Sequence, residues 1–170
     1  GSEASLMKKL EPADLDKIKI AGVDGGIVRR SLHGFDFVLV RAAGVCFEYT
    51  KNKISNVSYF PDKFPSPAVH VLESISDMDY SYFSSIIRQK TEITTARKVI
   101  QQLNPDVLLM DGSIVPHYTT KPSKTSFIYK YYENMLGEYK TLFLEAEKNN
   151  VLLAGVIEDS RSERFCGLVE

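Results

Sequence analysis

The sequence predicts an α/β domain built on a mixed sheet, with three N-terminal antiparallel strands followed by parallel strands and flanking helices. Three observations predict it. Lys17 to Val23 alternates before becoming apolar, Phe35 to Tyr49 is rich in Val, Phe and Ala, and Lys53 to Phe60 alternates again. Ile86, Ile93 and Ile100 share one helical face with Phe83, Ala96 and Leu103, which marks a helix over about 80–103. The runs at 107–110 and 151–157 are apolar and short, a pattern suited to strands covered on both faces.

Taken in order, the first strand runs from Lys17 and is expected to stop at Asp24, because Asp24-Gly25-Gly26 is a strong turn signal. Lys51-Asn52 is the expected turn between the second and third strands. Pro61, Pro65 and Pro67 then interrupt any regular element, since proline lacks an amide hydrogen and restricts the residue before it, so a loop is expected to lead into the first helix. Asn104-Pro105 ends that helix, and Asp111-Gly112-Ser113 ends the apolar strand that follows. A polar stretch through Lys124 precedes a helical pattern from Ser126 to about Lys148, and a last strand covers Val151 to Ile157. Strand, helix, strand, helix, strand implies parallel pairing through crossovers.

The chain has 170 residues, which fits one domain, 1–170, and no repeat or interdomain linker divides it. Residues 1–16 read as an N-terminal segment, in which Gly1-Ser2 has the look of a cloning remnant. With 44% hydrophobic and 25% charged residues the composition is that of an ordinary globular domain, which excludes disordered and fibrous classes. Cys46 and Cys166 have no partner at a zinc-ligand spacing, and no apolar run is long enough to span a bilayer, so a cytoplasmic protein without membrane contact is expected. A formal net charge of −1 excludes binding of nucleic acid by bulk electrostatics, although local pairs such as Arg29 with Arg30, or Lys121 with Lys124, could still meet phosphates.

In open α/β sheets function concentrates at the carboxyl edge of the strands, where Asp24, Asp111 and the pair Glu158-Asp159 are expected. Glu92 lies at the border of the first helix's apolar stripe, aimed at the sheet. Carboxylates gathered this closely repel by roughly 4 kcal/mol per pair at about 4 Å and an effective dielectric near 20. Hard divalent cations offset that repulsion, and two of them together can activate water against a phosphodiester. An all-oxygen set with no cysteine favours Mn²⁺ or Mg²⁺ over zinc.

IAGVDGG at 20–26, the helix carrying Glu92, and DVLLMDGS at 106–113 resemble the NurA family of archaeal and bacterial nucleases over most of the chain. The resemblance implies an RNase H-like fold in which Asp24, Glu92 and Asp111 are both the catalytic residues and the metal ligands. It also implies Mn²⁺-dependent hydrolysis of DNA with 5′ to 3′ exonuclease character, a homodimer, and partnership with the hexameric translocase HerA in DNA end resection. AGVIEDSRS at 154–162 resembles the family's later strand, although a lysine is common there near the position of Glu158. Family members usually continue well beyond the position of Glu170 with further helices and an active-site histidine, so the C-terminal part of the family domain is expected to be absent.

Each residue also has a structural reading. Asp24-Gly25-Gly26 and Asp111-Gly112-Ser113 are, singly, ordinary turns, and Glu92 could pair with Arg88 or Arg97. His117 could face the cleft or be a loop histidine, while His33 and His70 have no supporting constellation. Ser113 lacks a nucleophile elbow. The aromatic series from Phe127 to Phe143 has the spacing of helix packing more than of base stacking. Two rival readings are an endonuclease V-like enzyme, against which the missing PGxxxFRE-like run counts, and a non-catalytic partner-binding module on the same fold.

Overall fold

The structure, a computed structural model, describes residues 11–116 and 121–157. Its first strand, β1 (Ile18–Leu32), does not stop at Asp24 but runs on for eight more residues. This corrects the turn expected from Asp24-Gly25-Gly26, since these three residues pair across the ladder with Ala43, Ala42 and Arg41. The chain reverses later, at His33-Gly34, where Gly34 takes the left-handed backbone (φ +86) that a side chain disfavours.

Strand β2 (Phe35–Thr50) pairs antiparallel with β1 along its whole length. Lys51 and Asn52, both at positive φ, make the expected tight turn into β3 (Lys53–Phe60). The loop containing the three prolines is followed by a strand that the sequence reading does not foresee, β4 (Ala68–Glu73). Strands β3 and β4 share β2 as partner, β3 along Gly44–Thr50 and β4 along Phe35–Val40. The prolines therefore separate two strands that lie end to end on one edge of β2.

Helix α1 (Asp77–Leu103) begins at Ser76, whose hydroxyl accepts the Asp79 amide at 3.1 Å, and Asp77 and Asp79 complement the helix dipole. It ends at Asn104 in the left-handed conformation, just before Pro105, as the sequence indicates. Strand β5 (Val107–Asp111) pairs parallel with β1, and β6 (Leu152–Val156) pairs parallel with β5. Between them α2 (Tyr129–Lys148) buries Tyr132, Met135, Tyr139, Leu142 and Ala146 at helical spacing, so Tyr132 and Tyr139 are packing residues.

The sheet order is β3-β2-β1-β5-β6, with β4 beside β2, a mixed six-stranded sheet of antiparallel then parallel strands. Both helices pack on one face. There Val38, Val40, Ala21, Leu108, Ile86, Ile93, Val99, Ile100 and Leu142 are essentially buried. Arg97 ties the helices together through Glu138 and Glu145, so it is not the partner of Glu92. On the opposite face, among the described residues, Val57, Tyr59, Leu152 and Val156 are exposed. No helix among the described residues is long and apolar enough to cross a membrane.

Candidate active site

Parallel pairing of β1 with β5 ends at Val23 opposite Met110, so the next residues, Asp24 and Asp111, stand side by side where the two strands part. By alternation with Ala21 and Val23 in β1 and Leu108 and Met110 in β5, both leave their strands toward the sheet face away from the helices, yet at the strand ends both carboxylates still reach Arg88 of α1. The Asp24 side chain is 78% exposed and that of Asp111 53%. Asp24 holds its own carboxylate close to the backbone, accepting the Gly25 amide at 2.7 Å.

Glu92 differs, with its side chain only 9% exposed. It reaches the site because Gly25 has no side chain: a Cβ there would lie 2.5 Å from Glu92 Oε1 and 2.6 Å from its Cγ. Burial pushes the Glu92 carboxyl above its usual range; Arg88 pulls it back, and the Asp24 and Asp111 charges push the same way as burial.

The three carboxylates converge on Arg88, one helical turn before Glu92. Its Nε donates to Glu92 Oε1 at 2.8 Å, and its Nη2 lies 3.2 Å from Asp111 Oδ2 and 3.7 Å from Asp24 Oδ1. Burial disfavours the charge on Arg88, and the carboxylates more than compensate, so its pKa is raised. In this arrangement no group of three or more His, Cys, Asp or Glu among the described residues surrounds a common cation position. The guanidinium stands between them instead.

The DGS turn is built around glycine. Gly112 adopts φ +75, and its amide donates to Val156 O at 2.8 Å. Gly155 of β6 is equally constrained, because a Cβ on it would collide with the Gly112 carbonyl oxygen. Ser113 Oγ accepts the Val115 amide at 3.2 Å, which is a local turn bond and no sign of a nucleophile. A cavity of about 280 Å³ lies between Arg88, Glu92, Asp111, Ser113 and Tyr139. Burial and the Glu92 charge raise the Tyr139 phenol to about 12, so it keeps its proton at neutral pH. A larger cavity of about 690 Å³ opens on the uncovered sheet face beside Asp24, Asp111, Tyr59 and Lys63.

Arg29 and Arg30 are not at this site. Because β1 continues past Asp24, they are carried five and six residues along an extended strand, about 17–20 Å away at some 3.4 Å per residue. Arg29 lies over the Tyr80 ring at 5.9 Å. Lys121 and Lys124 are exposed on the connection between β5 and α2, with no ion-pair partner among the described residues. His117, Glu158 and Asp159 lie outside the described residues. His70 sits edge-on to Phe83, and burial followed by the Lys90 charge lowers its pKa, which suits a packing residue. Sequence reasoning finds Arg88 only as a pairing partner of Glu92 and misses its link to Asp24 and Asp111. The one available signal is its spacing of four residues before Glu92.

A family model described as the NurA domain matches residues 18–169. Among solved structures, the chain is similar to the NurA nuclease from Sulfolobus solfataricus, with a TM-score of 0.56 and 15% identity over 89% of this chain and 51% of that one. It also matches a NurA bound to dAMP and manganese, with a TM-score of 0.47 and 14% identity over 86% of this chain and 35% of that one. The chain thus spans about half the length of the Sulfolobus protein, and at this identity the likeness is one of fold. No curated protein matches it.

Proposed function

This chain belongs to the NurA domain family, and from that premise we propose that it is a metal-dependent deoxyribonuclease whose centre is formed by Asp24, Glu92 and Asp111. The observation that carries the proposal is the convergence of these carboxylates, from β1, α1 and β5, on the one guanidinium of Arg88. Their donor chemistry fits Mn²⁺ or Mg²⁺, since all three supply hard oxygen ligands. The recess at Gly25 fits a carboxylate held in fixed position for such a cation.

Asp24, Glu92 and Asp111 would hold the divalent cations, two in the proposed mechanism, which would supply activation of water and neutralisation of charge on the phosphodiester. The chain's own residues do the rest. Glu92, held by burial and by the space at Gly25, fixes one side of the centre. Asp24 and Asp111, with exposed side chains, would supply carboxylate oxygens to the cations from the ends of β1 and β5. Arg88 balances three negative charges before a cation arrives, and a guanidinium released from them is suited to hold a phosphate oxygen. Tyr139 remains a hydrogen-bond donor within the cavity.

The finer parts of the reading rest on the family resemblance. They are 5′ to 3′ exonuclease polarity, action in DNA end resection with a HerA-type hexameric translocase, assembly as a homodimer, and a cytoplasmic location. The test is cleavage of end-labelled linear DNA in Mn²⁺ and in EDTA, by wild type and by Asp24→Ala and Asp111→Ala. Metal-dependent cutting lost in both variants is the expected result. Full cutting by either variant, or no cutting by the folded wild type, overturns the assignment for this chain.

A further inference from the structure

Beside Asp24, on the sheet face that the helices leave uncovered, lies a cavity of about 260 Å³ lined by Gly26, Arg41, Lys63, Phe64 and Pro65. Three features of it go beyond the carboxylate centre. First, Arg41 of β2 pairs with Gly26 of β1, two residues along from Asp24 on the same face, and its Nε would be 4.0 Å from a Cβ on Gly26. The guanidinium thus lies over Gly26 and lines the same cavity as Asp24. Second, Lys63 borders both this cavity and the larger one beside Asp111. Neither Arg41 nor Lys63 has a carboxylate partner among the described residues, whereas Arg88 and Arg97 are each ion-paired with carboxylates.

Third, Phe64 is 76% exposed, the most exposed of the large hydrophobic residues described. Its loop holds it there. The Phe64 amide donates to Asp62 Oδ1 at 2.6 Å, and the following Pro65 is buried. The Lys63 ammonium stands 5.6 Å from the Phe64 ring centroid, and Tyr59, itself 43% exposed, lines the neighbouring cavity. Free cations interleaved with exposed aromatic rings, on both sides of a carboxylate centre, form the combination that holds a single nucleic-acid strand: phosphates meet the cations and bases stack on the rings.

We propose that Arg41, Lys63 and Phe64 form a subsite for single-stranded DNA, Arg41 and Lys63 taking phosphate oxygens while Phe64 stacks on a base next to the nucleotide at Asp24. The proposal rests on the nuclease reading and adds to it where the strand lies. It also assigns a substrate role to the loop between β3 and β4, in place of Arg29 and Arg30.

The chain contains no tryptophan, so Phe64→Trp places a single fluorescent reporter at the stacking position. Titration of that variant with an unlabelled oligothymidylate in EDTA, where no cleavage occurs, is expected to quench its emission. In parallel, anisotropy with a labelled oligothymidylate compares wild type, Phe64→Ala, Arg41→Gln and Lys63→Gln. Phe64→Ala is expected to weaken binding about tenfold, within the range a stacked base contributes, with Phe64→Trp restoring it. Each of Arg41→Gln and Lys63→Gln should lower the slope of log affinity against log salt by about 0.7, the value of one phosphate contact on a single strand. Wild type that binds the oligonucleotide while all three variants bind it equally well, or emission from the Phe64→Trp variant that is indifferent to it, overturns the subsite and leaves the carboxylate centre standing. Wild type that neither binds DNA nor cuts it in Mn²⁺ overturns both.

Discussion

Gly25 and Glu92 occupy one space between them: a Cβ on the glycine would stand 2.5 Å from Glu92 Oε1. The glycine is therefore not a turn residue but the recess that admits a buried carboxylate to the sheet. Gly25→Ala is expected to push Glu92 out, at a cost of about 1–3 kcal/mol in stability, the range for overpacking. Mn²⁺ affinity should fall with it. Urea unfolding and Mn²⁺ titration calorimetry on the same protein check both.

Arg88 is ion-paired with Asp24, Glu92 and Asp111, so a divalent cation bound at the proposed centre would have to compete with it. Arg88→Gln is expected to bind Mn²⁺ about tenfold more tightly and to be less stable in EDTA by about 1–2 kcal/mol, a figure reduced because the guanidinium is 37% exposed. Equal or weaker Mn²⁺ binding by Arg88→Gln would show that the guanidinium does not hold the cation's place.

Asp24 and Asp111 project from the sheet with exposed side chains, so Asp24→Ala and Asp111→Ala should unfold within about 0.5 kcal/mol of wild type. Cleavage should fall by about a hundredfold or more, the scale of losing a group that stabilises developing charge. Circular dichroism beside the DNA assay separates lost chemistry from lost fold.

Glu92 gives a pH signature. Its carboxyl is raised above the ordinary 4.5, first by burial, against the pull of Arg88. An acid that holds its proton more tightly when folded contributes stability that is fully present below the unfolded pKa and is lost as pH rises through the raised folded value. Metal-free protein should therefore lose stability as pH climbs from about 4.5 through that window, and Glu92→Gln should flatten the decline. Urea midpoints over a pH series in EDTA measure it. A decline of the same size in Glu92→Gln would assign it to another group.

Gly44, beside the site, tests the packing of α1 on the sheet in place of the carboxylates. A Cβ there would run into the Val99 Cγ2 methyl, where α1 crosses β2. Gly44→Ala should cost about 1–3 kcal/mol by overpacking and leave Mn²⁺ affinity unchanged. A matched loss of Mn²⁺ binding would mean that the helix position itself sets the centre.

Much of this protein is legible along the chain because its signals are local. The seven-residue recurrence of Ile86, Ile93 and Ile100 is a property of one helix, Asn104-Pro105 stops it by its own backbone preferences, and the apolar run at 107–110 marks a strand whatever it pairs with. Asp24, Glu92 and Asp111 could be singled out for the same reason, each lying beside a local mark of a strand, a helix face or a turn. What the chain does not carry locally is which surfaces meet. Asp24-Gly25-Gly26 has the composition of a turn, yet β2 supplies ladder partners to all three and α1 supplies the carboxylate that needs Gly25 bare, so tertiary contact overrides the turn preference. The same continuation of β1 removes Arg29 and Arg30 from the site, and the late strand β4 forms because the far half of β2 offers it an open edge. Arg88 acquires its place only when three separate elements bring their charges within reach of one guanidinium, since electrostatic interactions depend on distance in space and not on separation in sequence.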